Sequence, residues 1–249
     1  MRRRLRKQRS RLDTGRGGTW WAPGAVGWWI GALFAIGSTC FALGAAPRYV
    51  DAVGDVADAV TFFVGSIFFT TAALLQYLEV ANQPDGRPQS AGGDRWRLLV
   101  WEPRRIDWWA AVVQLAGTIL FNISTWHAVD VHLSATEANQ LVWLPDVEGS
   151  ICFLVASGLL WVEANDGWWS WRPRELSWTI TALNLAGSIA FGVSAIAAKT
   201  IPSTDQIRNV TLMNLGTFVG AVCFLVGAVL LLPERTHDAG APTEAVSRR

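Results

Sequence analysis

The sequence predicts an all-α integral membrane bundle of six transmembrane helices, built from three repeated helical hairpins. Three observations predict it. The chain is 51% apolar and only 16% charged, and its charges fall at the two ends and in short blocks between long apolar runs, which is a membrane pattern. Six of those runs reach the ~20 residues needed to cross a bilayer; they lie near residues 27–46, 59–79, 107–127, 141–162, 178–198 and 210–232. Finally, one frame recurs without insertion or loss. It reads Trp21-x-Pro23, Trp28, Gly37-Ser38-x-x-Phe41, then Trp101-x-Pro103, Trp108, Gly117-Thr118-x-x-Phe121, then Trp171-x-Pro173, Trp178, Gly187-Ser188-x-x-Phe191. A related core follows each time, at Gly65-Ser66-x-x-Phe69, Gly149-Ser150-x-x-Phe153 and Gly220-Ala221-x-x-Phe224, and ends in Glu79, Glu163 and Glu234. Internal periodicity of this length sets architecture.

In chain order, residues 1–18 form a basic cytoplasmic segment expected to be disordered. Residues 19–80 form the first hairpin, 81–94 a Gly- and Pro-containing cytoplasmic linker, 95–164 the second hairpin and 165–235 the third. Residues 236–249 read as a cytoplasmic tail. The repeats make one membrane domain. Helix is the choice for every span, because lipid offers backbone amides no partner and the runs are too uniformly apolar for barrel strands. Most of the fifteen Trp cluster where each hairpin enters the membrane. Indoles favour the headgroup level, so this is an aromatic belt. Arg95 to Trp101 reads as a short piece along the inner surface.

Of the 21 Lys and Arg, eighteen lie before the first span, between spans two and three, between spans four and five, or after the sixth; only Arg48, Lys199 and Arg208 lie in the other loops. Basic loops stay in the cytoplasm. The expected location is therefore a cell membrane, multi-pass, with both termini cytoplasmic. The first apolar run is of full length behind a basic segment and reads as a span rather than a cleaved leader. The basic N-terminus suits anionic lipid headgroups, and no nucleic-acid partner is expected. Abundant Arg, Ala and Gly suggest a bacterial, GC-rich genome.

Gly and Phe of each core motif stand four apart, so they share a helix face. Gly37, Gly65, Gly117, Gly149, Gly187 and Gly220 are the expected helix-packing residues, because Gly lets a neighbouring backbone approach. Cys40, Cys152 and Cys223 all directly precede the motif Phe, so a packing role is expected rather than a metal or a disulfide.

The paired spans, each carrying Gly-Ser-x-x-Phe, resemble the YrhK-like domain, a small bacterial two-span membrane module. Gly37-Ser38-x-x-Phe41 with Gly65-Ser66-Ile67-Phe68-Phe69 carries the closest likeness. Thr118 and Ala221 depart from it. The resemblance implies a fold unit and no catalytic residue. The mitochondrial-carrier signature is absent from the ends of the odd helices.

Exceptions to the frame are the candidate functional positions. In Pro145-Asp146-Val147-Glu148, the two acids replace Phe62 and Val64 of the first hairpin and Thr217 and Val219 of the third. An acid inside a span is a functional candidate; as an alternative, Pro145 starts a helix whose N-terminus the acids suit. Gln114 and Asn184 share one position, occupied by Phe34 in the first span. They are expected to join helices by hydrogen bonds or, alternatively, to line a polar path. His127 and His132 flank Asp130 and read as a solvated loop or, alternatively, a proton or metal site; Glu79, Glu163 and Glu234 are expected to pair with Arg104, Arg105, Arg172 and Arg174. No nucleophile, phosphate-loop or zinc motif appears. The expected role is therefore structural or accessory and non-enzymatic, with no cofactor; the alternative is a small-solute or proton-linked transporter or channel.

Overall fold

A computed structural model describes residues 20–82, 97–165, 167 and 171–239, with side chains through Pro233. The basic 1–18 segment, most of the 81–94 linker, Arg87, Arg95, Trp96, Trp168, Trp169 and the Glu234 side chain lie outside the described residues. Six helices are long and apolar enough to cross a membrane: Val26–Gly44, Asp55–Asn82, Ile106–His127, Ala135–Asn165, Leu176–Ala197 and Val210–Pro233. They are numbered below as the first to sixth spans. The protein is thus an all-helical, multi-pass membrane bundle. Ile36, Val64, Ile67, Ile119, Ile151, Ile189 and Val219 all face outward and exposed, as side chains solvated by lipid do.

Each span packs on its neighbours in the chain, and the sixth returns to the first, so the six close into a ring. The reason is visible in the motifs. Within each hairpin the two motif glycines oppose one another. A Cβ at Gly37 would stand 2.9 Å from the Gly65 carbonyl oxygen, one at Gly117 3.1 Å from that of Gly149, and one at Gly187 3.1 Å from that of Gly220. Only a hydrogen fits there, so these positions require glycine for close approach. The motif Phe of each helix packs beside the opposing Gly: Phe69 on Gly37, Phe41 on Gly65, Phe153 on Gly117, Phe121 on Gly149, Phe224 on Gly187 and Phe191 on Gly220.

All six Phe then meet on the ring axis. Phe41 contacts Phe69, Phe121 and Phe191; Phe153 contacts Phe69, Phe121 and Phe224; Phe191 also contacts Phe121 and stacks on Phe224. Their ring centroids lie 5.1–6.4 Å apart, the range of favourable aromatic pairs. The protein core is therefore a phenylalanine cluster at the level of the motif glycines.

The Trp-x-Pro frame builds the turn that leads into each odd span. The N–H of Ala25, Arg105 and Glu175 donates to the carbonyl of Ala22, Glu102 and Arg172 respectively. Pro23, Pro103 and Pro173 occupy the second position of these turns, where a fixed φ is favoured. The frame's two Trp then meet edge to face, Trp21 with Trp28, Trp101 with Trp108 and Trp171 with Trp178, at 5.1, 5.2 and 5.2 Å.

Three features differ from the sequence expectation. The fourth span does not begin at Leu141 or Pro145. It begins at Ala135, where Ser134 and Glu137 form a reciprocal capping box, and passes through a π-helical stretch, Ala138–Trp143. Pro145 has no N–H to continue the α ladder and its ring crowds the preceding turn, so a wider turn accommodates it. Asp146 and Glu148 consequently lie inside the span, with Asp146 in the first turn of its α-helical stretch, Leu144–Asn165. The loops between spans one and two, and five and six, hold a short helix, Pro47–Val53, and a two-stranded ribbon pairing Thr200–Ile201 with Gln206–Ile207. Last, the backbone of the sixth helix continues to Ala239, so the tail expected from residue 236 begins within a helix.

Candidate functional site

Asp146 and Glu148 stand two residues apart on one helix, so they point to different sides. Their counterparts show which. Phe62, matching Asp146, packs on Gly44 of its own hairpin, and Thr217, also matching, bonds Ser194 at 2.7 Å. Asp146 is half-buried. Glu148 is exposed on the outer surface, as are its counterparts Val64 (42%) and Val219 (43%). Gly149, its neighbour, packs against Gly117, which lies midway along Ile106–His127. Glu148 therefore sits near the middle of the membrane's thickness, facing out of the bundle.

Gln114 reaches Gln76 of the second span, Nε2 to Oε1, at 3.5 Å. Asn184 lies against the sixth span, its Oδ1 2.9 Å from where a Cβ on Gly227 would stand. The two amides thus face different helix junctions. Neither is brought to Glu148 or to the other, and the Phe cluster fills the axis between them.

The second and third spans share a series of polar contacts, of which the sequence singles out only Gln114. Ser66 bonds Thr125 at 2.9 Å, Asn122 donates to Thr70 at 2.7 Å, and Gln76 meets Gln114. Because the helices are antiparallel, each step down one is a step up the other. The junction of spans four and five holds one such pair, Ser157 with Ser188 at 2.7 Å. Serines and threonines at helical spacing on both partners were the available signal.

Near the start of the fourth span, Asn139 makes two bonds to the backbone of Thr200, and Trp143 donates to the Ala195 carbonyl. Lys199 caps the Trp143 ring at 4.9 Å. The π-helical stretch is thereby docked on the ribbon that leads to the sixth span. Asp130 accepts from the His132 N–H, which makes that loop a turn closed by its own carboxylate.

At the other membrane face, Arg105 forms a two-pronged bond to Asp107, at 2.6 and 3.0 Å, and donates to the Val80 carbonyl. The Asp107 bond holds the Arg105 guanidinium above its ordinary pKa against the opposing effect of burial, with Glu102 and Glu163 adding to it. Arg172 pairs with Glu175 at 3.5 Å. Both arginines thus pair with an acid two or three residues further along the chain. The three cysteines are free thiols; Cys40 packs against Gly65 and Cys152 against Gly117.

Two surface depressions flank the bundle. One, about 460 Å³, is formed by residues 171–175, and the other, about 320 Å³, by Trp126, His127, Val129 and Asp130. Both lie at span ends, away from Gln114, Asn184 and Glu148.

No protein-family model, curated protein or solved structure matches the chain.

Proposed function

We propose that the protein is a non-enzymatic structural or accessory component of a bacterial cell membrane, built from YrhK-like two-span units, with both termini in the cytoplasm. One observation carries this reading: the six motif Phe converge on the ring axis and fill it. A pathway needs polar groups around water or a solute, whereas here apolar rings occupy that place. Gln114 and Asn184 serve as contacts between helices, and among the described residues the acids and hydroxyls do not converge as nucleophile and base do. The excess of Lys and Arg in alternate loops supports the orientation, and the YrhK-like reading rests on the Gly-Ser-x-x-Phe pairs. The basic N-terminal residues supply attraction to anionic headgroups.

The test is reconstitution of the purified protein into liposomes under a pH gradient and, separately, a K⁺ gradient. The reading expects dissipation no faster than in protein-free liposomes. Flux that rises with protein density and is lost in Gln114→Leu or Asn184→Leu would contradict it.

A further inference from the structure

Glu148 poses a problem that the fold alone leaves open. It is an acid near mid-membrane on a surface that otherwise consists of Leu144, Ile151, Leu154 and Val155. The corresponding positions of the other hairpins carry Val. Facing hydrocarbon, a carboxyl group is costly unless it is paired. No Lys or Arg lies within any of the six spans, so no cation among the described residues stands at that depth to satisfy it.

A second feature sits on the same side of the same helix. Gly158 has open space where a side chain would be, with nothing within 4 Å. Its counterparts, by the offset that relates Gly149 to Gly65 and Gly220, are Leu74 and Val229. The fourth span alone combines an acid and an uncovered glycine on its outer side, at positions where the second and sixth spans carry branched apolar residues. A bare glycine facing outward admits a helix backbone.

We propose that two copies of the protein associate through the outer side of the fourth span, with Glu148 of each copy hydrogen-bonded to the same residue of the other and Gly158 at the close approach. A two-fold axis along the membrane normal is the commonest symmetry of homodimers, and it brings each residue to the same depth as its own copy. A carboxylic acid in its neutral form has one O–H donor and a carbonyl acceptor, so two of them complete each other without a foreign base. That complementarity selects a second copy as the occupant. The association uses one hairpin out of three, which fits a dimer and not a lattice.

The experiment is fluorescence transfer between donor- and acceptor-labelled full-length protein in phosphatidylcholine–phosphatidylglycerol liposomes, over a dilution series of protein to lipid. The wild type is expected to pair reversibly. Glu148→Val, the residue of the other hairpins, should weaken pairing at least tenfold, and Gly158→Leu should do so independently. Glu148→Gln retains donor and acceptor and should pair within about threefold of wild type. Val219→Ala should pair as wild type does. Circular dichroism and monodispersity verify that each variant folds, and Gly158→Leu serves if Glu148→Val does not. A wild type that stays monomeric at every density, or one whose pairing is indifferent to both Glu148→Val and Gly158→Leu, overturns the proposal. So does binding of a Leu-rich synthetic helix with one central Lys in preference to a second copy.

Discussion

Ser38 and Ser150 have buried hydroxyls with no hydrogen-bond partner among the described residues, and the recurring frame explains both. The counterpart of Ser38 is Ser188, which bonds Ser157; the position matching Ser157 on the sixth span is Ala228. The counterpart of Ser150 is Ser66, which bonds Thr125; the matching position is Ala195. Each orphan faces an alanine where its relative faces a hydroxyl. Ala228→Ser should therefore raise stability by ~0.6 kcal/mol and at most ~1.7 kcal/mol, the average and maximum for such bonds between membrane helices, read as resistance to unfolding in SDS. No gain in a Ser38-containing chain, or an equal gain in a Ser38→Ala background, would sink that assignment. Gly117→Leu works in the opposite direction. Its side chain meets Cys152 and the Gly149 carbonyl at 2.9 and 3.1 Å, so a loss of about 3 kcal/mol is expected, the upper end for overpacking. Trp178→Phe keeps an aromatic ring beside Trp171 and should cost less than about 1 kcal/mol. Equal tolerance of the two changes would argue against close contact at the motif glycines.

At the scale of elements, the second and third spans are joined by a polar series while the sixth and first meet chiefly through apolar atoms. The consequence is graded. Gln114→Leu removes a long 3.5 Å contact and should change stability by no more than ~0.6 kcal/mol. Asn122→Ala removes a 2.7 Å bond to Thr70 and should cost more; urea or SDS titration of the two variants gives the order, and the reverse order would contradict it. The elements also show what was legible beforehand. Six spans follow from apolar length, and the opposed glycines are marked by the fixed frame. The start of the fourth span is equally written in the chain, since Ser134-x-x-Glu137 is a capping-box pattern, but the many polar residues from 134 to 140 mask it. That Asp146 and Glu148 point apart follows from their spacing of two. Which of them faces outward does not, because in a membrane bundle both the core side and the lipid side are apolar. For the same reason the meeting of all six Phe was hidden: periodicity marks a face but not its neighbour. The short ribbon after the fifth span lacks apolar alternation altogether, and its turn residue Asp205, with φ 52°, carries no glycine signal.

For the whole molecule, the orientation makes one prediction and the ring another. On the proposed orientation, single cysteines at Ser134 and Asp205 should react with an impermeant thiol reagent in intact cells, and one at Asp85 should not; labelling at 85 in sealed cells would reverse the topology. The ring makes the central claim, that the last span closes on the first around an apolar axis. In a background with Cys40, Cys152 and Cys223 replaced by Ala, Gly31→Cys and Leu232→Cys place two thiols across this junction: a Cβ on Gly31 would stand 3.4 Å from Leu232 Cγ and 3.1 Å from the Ala228 carbonyl oxygen, so a small backbone adjustment brings the pair within disulfide reach. After mild oxidation and proteolytic cleavage between the second and third spans, the two fragments should remain joined and separate on reduction. Fragments that separate without reductant, while the doubly substituted protein stays folded, would contradict closure of the ring.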